Sequence, residues 1–220
     1  MGQGNKVKLN SFDIRIGSIE GKFLYSNIQW NPKSMTKPTQ IIIHSTGETV
    51  KQVYLRNIKK NGQPKYHFII DNTGDITQML PLNMTGTHTK NHSEYSFGIG
   101  LLNLKHNKPP SLAMRYSFSQ MIKYLNIRYK PLKLLTQFQI KLWEVNQTAN
   151  RCQLEFPEID EKYYIRNGFK DLSEVNIQLF KKKLNELVEK TDGDKLAKEM
   201  LKISIDQIKP SPGHLSQVLF

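Results

Sequence analysis

The stretch Thr39-Gln40-Ile41-Ile42-Ile43-His44-Ser45-Thr46 decides the fold. Three successive β-branched residues between polar ends predict a strand buried on both faces, as in the middle of an α/β sheet. His44 ends that strand and Ser45-Thr46-Gly47 follows, so its imidazole is expected at a strand tip where loops converge. A single histidine is often a surface or satisfied core group. At a strand tip it is also a metal ligand or an acid–base group in waiting.

Reading outward, apolar residues at Val50, Val53, Tyr54 and Ile58 keep helical spacing, and Asn61-Gly62 supplies a stop. Tyr66 to Ile70 reads as a strand, Asn72-Thr73-Gly74-Asp75 as a hairpin turn, and Ile76 to Leu80 as its partner. After a loop rich in Gly and His, Ser96 to Leu102 is a further strand. Lys105 to Pro110 is a loop, and Phe118, Met121, Ile122, Leu125 and Tyr129 mark one face of a helix. Leu132 to Ile140 reads as a last short strand. Two closing helices carry Ile177, Phe180, Leu184 and Leu187, then Ala197, Leu201, Ile205 and Ile208, separated by Thr191-Asp192-Gly193-Asp194. Before residue 39 the sequence looks irregular, apart from a short strand near Phe12 to Ile16. The expected fold class is therefore α/β, a mixed central β-sheet flanked by helices. Its organisation is an irregular segment 1–38, a main α/β domain 39–160 and a helical C-terminal extension 161–220.

Composition bounds the function without choosing it. Of 220 residues, 38% are apolar, which suits a globular chain with a core of its own. Lys and Arg number 32 against 19 Asp and Glu, a net +13 that favours polyanionic partners. An AT-rich genome would generate much of the same lysine excess. One cysteine, Cys152, excludes an intrachain disulfide. Neither a signal-peptide core nor an apolar run of membrane-spanning length is evident, so a cytoplasmic location is expected by default.

Four segments in order then resemble a known family, the zinc-dependent N-acetylmuramoyl-L-alanine amidases of phage lysozyme type, whose fold peptidoglycan-recognition proteins share. Ile41 to Thr46 resembles the strand giving that family's first zinc ligand. Tyr66-His67-Phe68-Ile69-Ile70-Asp71 and Gly74 to Gln78 resemble its tyrosine–histidine–phenylalanine strand and hairpin. Gly86-Thr87-His88-Thr89-Lys90 looks like its cleft histidine segment, and Ser96 to Leu101 like the strand after it. The resemblance implies a Zn2+ cofactor held by His44, Tyr66 as a catalytic group, and His88, Thr46 and Lys90 as substrate contacts. His67 is expected to be structural, because strand alternation turns it away from Tyr66.

The second half departs from the pattern. Gln137 stands where the family's second ligand histidine belongs, and glutamine is a poor, neutral zinc ligand. Cys152, in an Asn-Arg-Cys context, is the remaining candidate for a third ligand, and His92, His106 and His214 are histidines that a rearrangement would have to recruit. A catalytic zinc needs three protein ligands and an open position. Two functions follow: an amidase cleaving the lactyl–L-alanine bond of peptidoglycan or muropeptides, or a degenerate relative that binds such fragments without cleaving them. An amidase would be bacterial or phage-borne, cytoplasmic or released to the cell wall as a lysin. Nucleic-acid binding ranks third, since Lys181-Lys182-Lys183 fits the solvated face of an amphipathic helix and no recognised motif accompanies it.

Overall fold

The computed structural model describes the backbone of strands within residues 6–23, and then residues 33–59, 64–102, 104 and 109–209. The expected stop at Asn61-Gly62, most of the loop after Lys105, and both His106 and His214 lie outside the described residues.

A mixed seven-stranded sheet forms the centre. Its strands are β1 (Lys6–Leu9), β2 (Phe12–Ile16), β5 (Gln40–Ser45), β6 (Phe68–Ile70), β7 (Ile76–Gln78), β8 (Ser96–Leu101) and β9 (Lys133–Thr136), in the order β1-β2-β7-β6-β8-β5-β9. β3 (Ser18–Ile19) and β4 (Lys22–Phe23) pair separately. β5 runs parallel to β8 and to β9, as its apolar run requires. β6 and β7 form the antiparallel hairpin. The segment before residue 39 is more regular than expected. The alternation Val7, Leu9 and Phe12, Ile14, Ile16 has the two-residue period of an edge hairpin, and β2 joins β7 in parallel.

Alternation along the strands sorts two faces. Ile41, Ile43, Phe97, Ile99 and Leu101 pack under helix α2 (Leu112–Tyr129), against Met114, Phe118, Met121 and Leu125. Each such side chain, fully buried, contributes roughly 1.5–3 kcal/mol. On the opposite face, helix α1 (Val50–Lys59) sets Val53 against Tyr66, Ile69 and Met79.

The expected strand over Leu132–Ile140 is half strand and half helix. β9 ends at Thr136, whose side chain caps helix α3 (Gln137–Arg151) in a reciprocal box with Gln139. Thr-x-x-Gln is a helix-start signal that outweighs the β-branched and apolar run before it. A short helix α4 (Glu161–Arg166) follows, then the two expected helices, α5 (Glu174–Lys190) and α6 (Lys195–Asp206). These close on α3: Phe138, Leu142, Val145 and Ala149 share a core with Ile177, Phe180, Leu184, Leu201 and Ile205. On α5, Lys182 and Lys183 are exposed while Phe180 and Leu184 are buried, as a solvated lysine face requires. No described helix is long and apolar enough to cross a membrane.

Candidate functional site

The site grows from bare strand. On β8, Ser96, Gly98 and Gly100 alternate with the core residues Phe97, Ile99 and Leu101. A Cβ at Gly98 would lie 2.6 Å from His88 Cγ, and one at Gly100 would lie 2.9 Å from Tyr66 Cδ2. The two glycines therefore leave a shelf on which both rings rest. His44, from the same face of the neighbouring strand, completes the group. Its ring centroid is 5.1 Å from that of Tyr66 and 5.3 Å from that of His88. All three side chains are almost fully buried.

The hydrogen bonds order the cluster. The Ser96 carbonyl faces His88 Nε2 at 3.2 Å, which places the proton there and leaves Nδ1 as an acceptor. His44 Nε2 lies 3.2 Å from that Nδ1, with the Thr89 hydroxyl 3.5 Å and 3.4 Å from the two nitrogens. On its other edge, His44 Nδ1 meets the Gln137 side-chain amide at 3.3 Å. An amide serves either tautomer of the ring, donating through its NH2 or accepting through its oxygen. Burial pushes the His44 pKa down to about 3, helped by the nearby Lys65 cation and opposed by the Gln137 hydrogen bond. Burial also holds His88 well below the ordinary histidine value, with His44, His67 and Lys65 adding to the effect. Both rings are neutral at physiological pH.

His67 is structural, as expected. It takes a hydrogen bond from the Gly98 N–H at Nδ1 and gives one to the Met84 carbonyl from Nε2, at 3.0 Å and 2.8 Å. Thr46 is half-buried just after β5, and its hydroxyl donates to the Glu48 carboxylate at 3.1 Å. Lys65, which sequence reasoning passed over, holds its ammonium 5.1 Å from the Tyr66 ring centroid and so puts a cation at the edge of the cluster. Its adjacency to Tyr66 in the sequence was the available signal.

Cys152 and Lys90 do not join this group. Gln137 opens α3 and Cys152 caps its far end, fifteen residues on, which is about 22 Å along the axis. Cys152 packs half-buried against the helical core instead. Lys90 belongs to the same turn as His88, but Asn91 adopts a left-handed conformation (φ 63°). Lys90 and His92 line a separate cavity against α3.

The donor set can be tested against the zinc that the resemblance implies. A catalytic zinc wants three ligands drawn from His, Cys, Asp and Glu. Among the described residues no three such side chains converge. The amide of Gln137 stands at His44 Nδ1 instead, giving one imidazole a neutral hydrogen-bonding partner. The described residues do not fit a three-ligand zinc centre.

Comparison with known proteins agrees with the order of segments. Residues 34–141 match the family model of N-acetylmuramoyl-L-alanine amidase. No curated protein sequence is significantly similar to the chain. Among solved structures, the endolysin amidase LysCS of Clostridium intestinale is 19% identical with a TM-score of 0.48, covering 56% of this chain and 79% of that one. Apis mellifera PGRP-SA is 18% identical with a TM-score of 0.46, over 52% and 81% of the two chains. Drosophila peptidoglycan recognition protein SD is 15% identical with a TM-score of 0.45, over 51% and 77%.

Proposed function

Since residues 34–141 place this chain in the N-acetylmuramoyl-L-alanine amidase family, we propose that it binds peptidoglycan fragments at the cluster around His44 and has lost the metal-dependent cleavage of that family. The observation that carries this reading is the Gln137 amide within hydrogen-bonding distance of His44 Nδ1, at the position where the family pattern puts a ligand histidine. A buried imidazole that is hydrogen-bonded on both edges is a satisfied structural group. The surrounding residues suit recognition of a fragment carrying carboxylates. Lys65 supplies a cation beside Tyr66, and the Tyr66 and His88 rings stand against His44. The net charge of +13 adds long-range attraction for such a partner.

Family membership itself favours a second reading, a working amidase, with Tyr66 beside His44 as the group that would assist at the scissile carbonyl. That reading needs zinc on His44 and ligands beyond those described. Elemental analysis of the purified protein, beside a His44→Ala variant, separates the two. The binding reading predicts far less than one zinc per chain and no difference between the two proteins. About one zinc per chain, lost in the variant, would overturn it in favour of the hydrolase.

A further inference from the structure

A cavity of about 390 Å³ lies beside the central cluster, beyond the turn that carries His88. One wall is the loop with Lys90 and His92, another is the outer face of α3 with Trp143 and Arg151, and Gln207 closes it at the end of α6.

Trp143 is 52% exposed, on a helix face where a charged residue would serve solubility better. Its indole is oriented by the edge of His92, at 5.7 Å between centroids and 82° between planes. His92 is itself fixed, its Nδ1 lying 3.3 Å from both Gln40 Oε1 and the Tyr95 hydroxyl. The aromatic wall is therefore preorganised. Around it stand three cations, Lys90, Lys141 and Arg151, against the single carboxylate of Glu144. Glu144 is committed to Lys141 at 2.5 Å, so the excess positive charge resides on Lys90 and Arg151. Arg151 is braced on α3 by the Gln147 carbonyl at 3.3 Å and the Thr148 hydroxyl at 3.4 Å.

A flat apolar ring beside a braced guanidinium and an exposed ammonium, with side-chain amides at the rim, matches a sugar that carries an acid. The C–H face of a pyranose lies on the indole, the acid meets the guanidinium and ammonium, and the hydroxyls find the amides. The volume accommodates one or two rings. A single aromatic wall in a half-open cavity also differs from the extended basic track and successive stacking platforms of single-stranded nucleic-acid binders.

We propose that this cavity binds an acidic saccharide, its ring against Trp143 and its carboxylate or phosphate between Lys90 and Arg151. The inference extends the wall-fragment reading above and rests on it only for the choice of a glycan as the source of that sugar.

Isothermal titration of the full chain tests it, with three probes free of peptide. They are the N-acetylglucosaminyl-N-acetylmuramic acid disaccharide (carboxylate), N-acetylglucosamine 1-phosphate (phosphate) and neutral di-N-acetylchitobiose. At least one acidic probe is expected to bind tenfold or more tightly than chitobiose, and the stronger of the two identifies the acid. Trp143→Ala, Arg151→Gln and Lys90→Gln should each weaken that binding at least fivefold, while Lys182→Gln, on the exposed face of α5, leaves it unchanged. The two surface cation variants decide the matter if removing the indole disturbs folding. Equal affinity for the neutral probe, indifference to all three variants, or displacement of the sugar by a single-stranded oligonucleotide would overturn the proposal. A muropeptide that binds through His44 while the peptide-free sugars do not would overturn this inference and leave the cleft reading standing.

Discussion

Substituting Gly98 by alanine tests whether the His88 ring rests on bare strand. The new Cβ would sit 2.6 Å from His88 Cγ, 2.7 Å from Cδ2 and 3.1 Å from Cβ. Carbon atoms prefer about 3.5–4.0 Å, so the overlap approaches 1 Å. The ring cannot swing aside freely, because its two nitrogens are engaged by the Ser96 carbonyl and by His44. Overpacking of this kind costs about 1–3 kcal/mol, and a displaced ring forfeits about 1 kcal/mol for each hydrogen bond it leaves. The smaller backbone-entropy gain of alanine in a strand, about 0.5–1 kcal/mol, offsets part of that. We expect a net loss of about 2–3 kcal/mol in urea unfolding, and weaker muropeptide binding. Gly47→Ala is the control: its nearest neighbour would be the Leu104 carbonyl oxygen at 3.9 Å, an ordinary contact. A Gly98→Ala/His88→Ala double variant should lose at least about 1 kcal/mol less than the sum of the single variants, since the clash has one partner. Gly98→Ala with unchanged stability, or strictly additive variants, would refute the shelf.

Two further outcomes follow from the same geometry. His44 and His67, with pKa values lowered to about 3 and about 4, and His88, also lowered, each bind a proton more readily in the unfolded chain. Their stabilisation is therefore full above about pH 6.5 and is lost as pH falls toward 4. His44 and His67 each contribute a slope of about 1.4 kcal/mol per pH unit below pH 6.5, or about 2 kcal/mol between pH 7.5 and 5, and His88 adds in the same direction. Urea midpoints at those two pH values measure it, and a flat profile would count against neutral buried rings. Thr136→Ala removes the cap that turns the end of β9 into α3 and should cost about 1 kcal/mol in the same assay. Because α3 starts at Gln137, it should also loosen the amide from His44, visible as a shift of the His44 ring resonances. A change in neither would argue that the cap does not position Gln137.

The sheet was legible because its signals are local. Ile41-Ile42-Ile43, a short β-branched run between polar ends, read as a doubly buried strand, and its pairing with both β8 and β9 bears that out. His67 was legible as structural from alternation alone, and its two hydrogen bonds agree. Leu132 to Ile140 misled because an apolar run does not distinguish a strand from a helix. The Thr136 and Gln139 pair held the answer. That misreading hid α3, and with it the separation of Cys152 from Gln137. The placement of Lys90 depended on the left-handed turn at Asn91, which sequence allows without requiring. Nor could spacing reveal that Trp143, fifty-one residues downstream, would face His92.

The central claim is that an amide beside His44 has replaced metal chemistry with binding. The measurement that tests it most directly is titration of a muropeptide into chelator-treated protein and into zinc-supplemented protein, with chromatography of the recovered ligand. The account predicts the same affinity in both and intact muropeptide at the end. Zinc-dependent release of free stem peptide would contradict it.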